Sequence, residues 1–144
     1  SGRRAGARRP RGGPPRAPTH PAPPPTTHQP PPSPPSQVEE LDAEGLETAL
    51  ATRDRPLVVD FFATWCGPCL LLAKELEAVA ADLGDAVRIV KVDVDANDEL
   101  AGSLAIQGLP TLVFVGLDPA KPALRTEGLL PAATIKDIIQ NQLD

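Results

Sequence analysis

The sequence of 144 residues has a net charge of −5 at pH 7 and contains two cysteines and one tryptophan. Its charge is unevenly divided. Residues 1–37 hold six arginines and no acidic residue, whereas residues 38–144 hold eight lysines and arginines against 19 acidic residues. An acidic second part argues against nucleic acid as a direct partner, and no apolar run is long enough to span a membrane. We therefore expect neither a nucleic acid nor a membrane as a partner. Residues 38–144 are enough for one domain with one hydrophobic core.

Residues 1–37 contain 13 of the 19 prolines and no aromatic side chain. Such a segment cannot bury enough apolar surface to offset its ordering entropy, so we predict a disordered tail with polyproline II character. Its arginine-rich, acid-poor composition is similar to the end of an organelle transit peptide. A proline-rich tether and a nucleic-acid-binding arm are the alternatives that the composition leaves open.

Residues 38–144 alternate between helical and strand patterns, which predicts an α/β layer fold. Asp42 is placed to cap the first helix, and Gly84 is a stop signal for the second. The first strand is apolar on both faces apart from Asp60, which is typical of a central buried strand. In chain order, the predicted elements are a helix over Ala43–Thr52, a strand over Leu57–Ala63, a helix ending near Leu83, a strand over Val87–Val94, a helix over Ala96–Leu104, strands over Thr111–Val115 and Leu124–Glu127, and a helix opened by Pro131.

The two cysteines, Cys66 and Cys69, are separated by Gly67 and Pro68. Residues three apart face each other on a helix, so a small adjustment brings their sulfurs within disulfide distance. A ring this small adds little stability, and the N-terminus of a helix favours a thiolate at Cys66. The pair is therefore expected to act in dithiol–disulfide exchange rather than as a structural bridge.

Two other interpretations of the cysteine pair remain open from the residues alone. A structural zinc site needs four ligands, and both histidines of the sequence, His20 and His28, lie in the proline-rich tail. Such a site would need ligands from a partner chain. The pair could also be two buried, inert thiols, although C-x-x-C among alternating strands and helices is typical of a redox motif. We expect no metal site.

Residues 38–144 resemble the thioredoxin family. The resemblance is carried by Val58–Cys69, which includes the sequence W-C-G-P-C, by Lys91–Asp95, and by Gly108–Thr111. Three further segments are more similar to one subgroup, the plastid thioredoxin z proteins: Arg55–Asp60, Asp118–Lys121 and Arg125–Pro131. The resemblance implies a thioredoxin fold, in which a central mixed β-sheet is flanked by helices on both faces, and it leaves the tail outside.

The resemblance also implies roles for four residues. Cys66 would be the attacking nucleophile and Cys69 the resolving thiol. Asp60 would assist proton transfer with Cys69, since burial raises the pKa of a carboxyl and perturbed groups cluster at functional sites. Lys91 matches a lysine near that aspartate, although its position in the pattern fits a solvated strand residue equally well.

A flat, apolar docking surface for the target is implied around Cys66. The Pro110 peptide bond would be cis and would pack opposite the disulfide. Leu70 and Leu71 lie off the core face of their helix; either they widen the docking surface or they tuck under neighbouring loops. The remaining residues of the implied docking surface are Trp65, Gly67, Pro68, Leu109 and Gly128.

The function implied is that of a monomeric protein-disulfide reductase in redox regulation in the chloroplast stroma. It would need no metal and no organic cofactor beyond the Cys66–Cys69 disulfide. Its partners would be disulfide-containing target proteins and, as electron donor, a reductase or another thioredoxin. The first alternative is a structural subunit or scaffold of a plastid transcription complex with dispensable thiols, because the subgroup is associated with fructokinase-like proteins and the plastid RNA polymerase assembly. An oxidase or isomerase is the second alternative.

Overall fold

The computed structural model of the chain describes residues 37–143, so the tail predicted over residues 1–37 lies outside the described part except for Gln37. The strands are β1 (Glu39–Glu40), β2 (Leu57–Phe62), β3 (Arg88–Asp93), β4 (Thr111–Val115) and β5 (Leu124–Glu127). The helices are α1 (Ala43–Ala51), α2 (Gly67–Leu83), α3 (Asp98–Ser103) and α4 (Ala132–Asn141), with a 3₁₀ turn over Gly84–Ala86.

The strands within residues 37–143 form one mixed sheet in the order β1-β3-β2-β4-β5. β1 and β2 run parallel to β3, while β4 is antiparallel to both β2 and β5. At one edge Phe62 pairs with Asp93, Phe61 pairs with Thr111, and Thr111 pairs with Glu127. The ends of β2, β3 and β5 and the start of β4 therefore share this edge, and so do the loops that carry the predicted site residues.

The alternation of side chains along β2 divides the core into two layers. Val58 packs with Leu72 and Leu76 of α2 and with α4 residues on one face. On the other face, Leu57, Val59 and Phe61 of β2 pack with residues of α1 and α3. The sheet is thus covered by helices on both faces, which confirms the predicted fold class.

The predicted capping of α1 is confirmed. Asp42 has extended backbone angles, and its Oδ1 accepts a hydrogen bond from the Gly45 N–H at 2.7 Å. The predicted helix over Ala43–Thr52 is one residue too long, because Thr52 is the C-cap. The predicted strands over Leu57–Ala63 and Val87–Val94 are longer than β2 and β3 by one and two residues.

The helix predicted over Ala96–Leu104 begins later, at Asp98. The side chain of Asn97 explains the difference. Its Oδ1 accepts the Ala43 N–H at 3.0 Å, and its Nδ2 donates to the Asp93 carbonyl at 3.0 Å. These bonds hold the chain between β3 and α3 in turns, so the helix starts only after Asn97.

Strand β1 was not predicted, because its two residues, Glu39 and Glu40, are both exposed and acidic. They pair with Val90 and Lys91 of β3, and the Leu41 N–H extends the pairing to the Lys91 carbonyl at 2.9 Å. No helix within residues 37–143 is long and apolar enough to cross a membrane.

Replacing Asp42 with Ala removes the oxygen that caps the Gly45 N–H. We expect the free energy of unfolding, measured in urea, to fall by about 1 kcal/mol. Glu47→Ala on the exposed face of the same helix is the matched control, with an expected change below about 0.5 kcal/mol. Equal losses in the two variants would contradict the capping role of Asp42.

Candidate active site

The two cysteines form a disulfide at the N-terminus of α2, with their Cα atoms 5.3 Å apart. Cys66 is the N-cap of the helix, and its Sγ accepts the Cys69 N–H at 3.2 Å. The Cys66 N–H in turn donates to the Ala63 carbonyl at 3.2 Å, just after β2. Pro68, which lacks an N–H, sits in the first turn, where no intrahelical donor is needed. Cys66 therefore lies where the unpaired N–H groups of α2 favour negative charge.

Trp65 is 71% exposed beside the buried disulfide, as expected of a docking residue. Its indole Nε1–H donates to Oδ2 of Asp95 at 2.8 Å. Asp95 itself is oriented by its backbone N–H, which donates to Oδ1 of Asp93 at 2.9 Å. The sequence prediction did not include Asp95. Asp95 could be found only from the parallel pairing of Phe62 with Asp93, because this register sets the segments after β2 and β3 side by side.

The loop before β4 contacts the disulfide. The Leu109–Pro110 peptide bond is cis, and Leu109 packs against the cluster of Ala63, Cys66 and Cys69. The Pro110 carbonyl accepts the Gly128 N–H at 2.8 Å. Gly128 has φ +93°, a conformation that other residues rarely adopt.

The structure thus gathers the predicted docking residues at one edge of the sheet. Gly67 and Pro68 are exposed at the start of α2, Leu109 is half-buried, and Pro110 is buried behind it. Leu109 contacts the cysteine cluster, and Gly128 is joined to the adjacent Pro110 by a hydrogen bond. The predicted docking residues at this edge are Trp65, Gly67, Pro68, Leu109, Pro110 and Gly128.

Asp60 is a buried charged side chain of β2, only 2% exposed, and its Oδ1 has no hydrogen-bond partner within residues 37–143. It lies on the sheet face that α2 covers, because it alternates with Val59 and Phe61 of the opposite layer. Burial raises the pKa of Asp60 from 3.8 to about 7, and the nearby positive charge of Lys91 opposes part of that rise. The carboxyl can therefore exchange a proton near neutral pH.

Lys91 lies on β3 directly opposite Asp60 in the strand register. It is half-buried, and its Nζ is 5.5 Å from the centroid of the Phe62 ring. At that distance the ammonium lies within the range of a cation–π interaction. The structure therefore places Lys91 beside Asp60 rather than as a fully solvated strand residue, while its role in the chemistry stays a prediction.

Leu70 and Leu71 are 62% and 53% exposed directly after Cys69. The interpretation in which they tuck under neighbouring loops is therefore wrong. Together with Trp65, they extend the exposed apolar surface from the disulfide along α2.

Comparison with known proteins identifies the family. The family model described as Thioredoxin matches residues 37–141. The chain belongs to the thioredoxin family. The chloroplastic thioredoxin-like protein CITRX of Arabidopsis thaliana is 49% identical over 107 residues, which are 74% of this chain and 58% of that protein. The chain therefore spans less than two thirds of the length of this curated relative.

Solved structures agree with the family assignment. The crystal structure of chloroplastic thioredoxin z is 60% identical with a TM-score of 0.69, covering 71% of this chain and 90% of the other. The thioredoxin of Fasciola hepatica is 36% identical with a TM-score of 0.61, covering 71% and 96%. The first match confirms the similarity to the thioredoxin z subgroup that the sequence indicated.

The described residues also bear on metal binding. Within residues 37–143, no group of three or more histidine, cysteine, aspartate or glutamate side chains is arranged to hold a metal ion. Cys66 and Cys69 are joined to each other, so neither is present as a free thiol in this state.

The titration of Asp60 predicts a pH dependence of stability for the oxidised chain. Because the folded-state pKa is about 7 against 3.8 for the ordinary group, the folded state binds the proton more tightly. The contribution of Asp60 to the free energy of unfolding therefore falls by about 4 kcal/mol as the pH rises from about 4 to 7. At higher pH this contribution stays constant. Asp60→Asn lacks this titration, so it should gain stability relative to the wild type over that range.

Urea denaturation at about pH 5 and about pH 8 measures this difference. Glu47→Gln, which removes an exposed carboxylate, is the matched control and should keep the pH dependence of the wild type. An Asp60→Asn variant whose stability has the same pH dependence as the wild type would contradict the raised pKa of Asp60.

Proposed function

We propose that the chain is a thioredoxin-type protein-disulfide reductase that cycles between a Cys66–Cys69 disulfide and a dithiol. The observation that carries this proposal is the position of the disulfide, which caps α2 beside the exposed Trp65. A structural bridge gains little from so short a ring, whereas an exchanging pair needs a stabilised thiolate next to a docking surface. The exchange uses no metal and no organic cofactor.

The proposed reaction begins with the reduced chain. The Cys66 thiolate attacks one sulfur of a target disulfide, which forms a mixed disulfide and releases the other target sulfur as a thiolate. Cys69 then gives its proton to Asp60 and attacks Sγ of Cys66. The second target sulfur leaves and takes up a proton, and the Cys66–Cys69 disulfide remains. Two electrons have passed to the target, and a reductase or another thioredoxin supplies two electrons for the next cycle.

The docking surface around Cys66 fits an extended segment of a target protein. Trp65 is exposed next to Cys66, Leu109 packs against the cysteine cluster, and the Gly128 backbone is bonded to the adjacent Pro110. Aromatic side chains are typical of protein interaction sites. We propose a monomer that acts on disulfide-containing proteins.

The relatives suggest where the chain works. CITRX of Arabidopsis thaliana and thioredoxin z are both named chloroplastic, which supports a plastid location. We place the chain in the stroma, with fructokinase-like proteins and the plastid RNA polymerase assembly as candidate partners. These assignments rest on the resemblance to the subgroup.

A scaffold role is the second candidate function. Leu70 and Leu71 are exposed beyond the disulfide, which gives a partner more apolar area than the sulfur chemistry requires. Cys66→Ser separates the two functions. A variant that supports every cellular role of the wild type would make holding a partner the main function, whereas loss of those roles would support the reductase.

Cys69→Ser should trap the mixed disulfide, because the resolving thiol is absent while Cys66 can still attack. We expect covalent adducts through Cys66 when the reduced variant is mixed with disulfide-containing proteins, seen as a mass shift that dithiothreitol reverses. Cys66→Ser is the matched control and should form far fewer adducts. A Cys69→Ser variant that traps nothing would contradict the reductase proposal.

A further inference from the structure

An apolar groove opens between the first half of α2 and the loop that joins β5 to α4. Its volume is about 380 Å³. We call it the α2–α4 groove, and it is lined by Leu71, Lys74, Glu75, Leu129, Leu130 and Pro131.

The groove is continuous with the docking surface around Cys66. One wall begins with Leu71, two residues after Cys69 on the same helix. The other wall begins with Leu129, which follows Gly128, and Gly128 is hydrogen-bonded to the Pro110 carbonyl. Both walls therefore start from segments that contact the disulfide or the proline loop, so a polypeptide bound at the disulfide can continue into the groove.

The two charged residues of the groove differ in their partners. Glu75 Oε1 accepts the Ala132 N–H at 3.0 Å, so its negative charge is stabilised at the N-terminus of α4. Lys74 is exposed and takes part in none of the ion pairs formed among residues 37–143. The groove thus offers apolar walls, a Glu75 carboxylate bonded to the start of α4, and an exposed Lys74 ammonium that forms no ion pair among residues 37–143.

The distance from the disulfide sets which target residues reach the groove. The target cysteine bonds to Cys66, the N-cap of α2. A helix rises about 1.5 Å per residue, so Leu71 lies about 7.5 Å and Lys74 about 12 Å along the axis from Cys66. An extended chain covers about 3.3 Å per residue, so the groove receives side chains about two to four residues from the target cysteine.

We propose that the α2–α4 groove is a specificity subsite for the target polypeptide. It takes a large apolar side chain two residues from the target cysteine and an acidic side chain next to it, which faces Lys74. The inference rests on the proposed reductase function and names the sequence class of its targets.

The experiment compares extended peptides whose single cysteine is disulfide-bonded to glutathione. A reference peptide carries leucine two residues from the cysteine and glutamate three residues from it. It is made in two versions, one with both residues before the cysteine and one with both after it. Two further peptides replace leucine with alanine or glutamate with lysine. Dithiothreitol supplies the electrons, and kcat/KM is measured from glutathione release, with hydroxyethyl disulfide as a substrate too short to reach the groove.

On the side that enters the groove, we expect leucine to be favoured over alanine on the order of tenfold. Glutamate should be favoured over lysine by about twofold to fivefold, as expected of an exposed ion pair. Leu71→Ser should remove most of the leucine preference, and Lys74→Glu should invert the charge preference. Both residues are exposed, so neither change threatens the core.

Leu117→Ser is the matched control. Leu117 is 46% exposed, comparable to Leu71, but it lies between β4 and β5 and does not line the groove. This variant should keep both preferences of the wild type. Equal loss of the leucine preference in Leu117→Ser and Leu71→Ser would overturn the assignment of the groove.

The outcomes distinguish a failure of the groove proposal from a failure of the reductase proposal. A wild type that reduces hydroxyethyl disulfide and all peptides at equal kcat/KM overturns the groove alone. A wild type that reduces none of them overturns the reductase proposal and the groove with it. Selectivity that disappears as the protein concentration rises would show a second copy in the groove, which also contradicts a target subsite.

Discussion

The hydrogen bond from the Cys69 N–H to Sγ of Cys66 is the contact on which the rest of the site depends. It makes a cysteine the N-cap of α2, a position that is usually occupied by an oxygen-bearing side chain. The same sulfur is thereby held at the positive end of a 17-residue helix. β2 fixes this position, because it is a buried central strand that ends just before the helix and is paired on both sides.

Asp60 shows the cost of placing acid–base chemistry inside that framework. Its neighbours on β2 fill two hydrophobic layers, whereas its own Oδ1 finds no donor within residues 37–143. A carboxyl in such a place destabilises the folded chain whenever it is ionised. Lys91 reduces this cost without removing it, since it lies opposite in the register but also contacts the Phe62 ring. The pKa of Asp60 near neutrality is the consequence of this balance.

Much of this arrangement could be predicted from the sequence, because short motifs carry it. The spacing of Cys66 and Cys69, the lone charge of Asp60 in an apolar strand and the segment around Pro110 carried the resemblance that indicated the fold and the candidate site residues. The strands β4 and β5 were predicted at their observed ends, Thr111–Val115 and Leu124–Glu127.

The features that escaped prediction depend on contacts between distant segments. The start of α3 is set by hydrogen bonds of Asn97 to Ala43 and Asp93, and no local pattern contains them. The bond between Trp65 and Asp95 needs the register of β2 against β3. The exposure of Leu70 depends on whether a loop covers α2, which helical periodicity alone does not decide.

The unequal reactivity of the two thiols is the most direct test of the account. The reduced chain is treated near pH 7 with limiting iodoacetamide, and the alkylated cysteines are quantified by peptide mass spectrometry. Because Cys66 caps the helix while Cys69 lies within its first turn, Cys66 should react faster on the order of tenfold or more. Equal rates at the two cysteines, or faster alkylation of Cys69, would contradict the assignment of Cys66 as the attacking thiol.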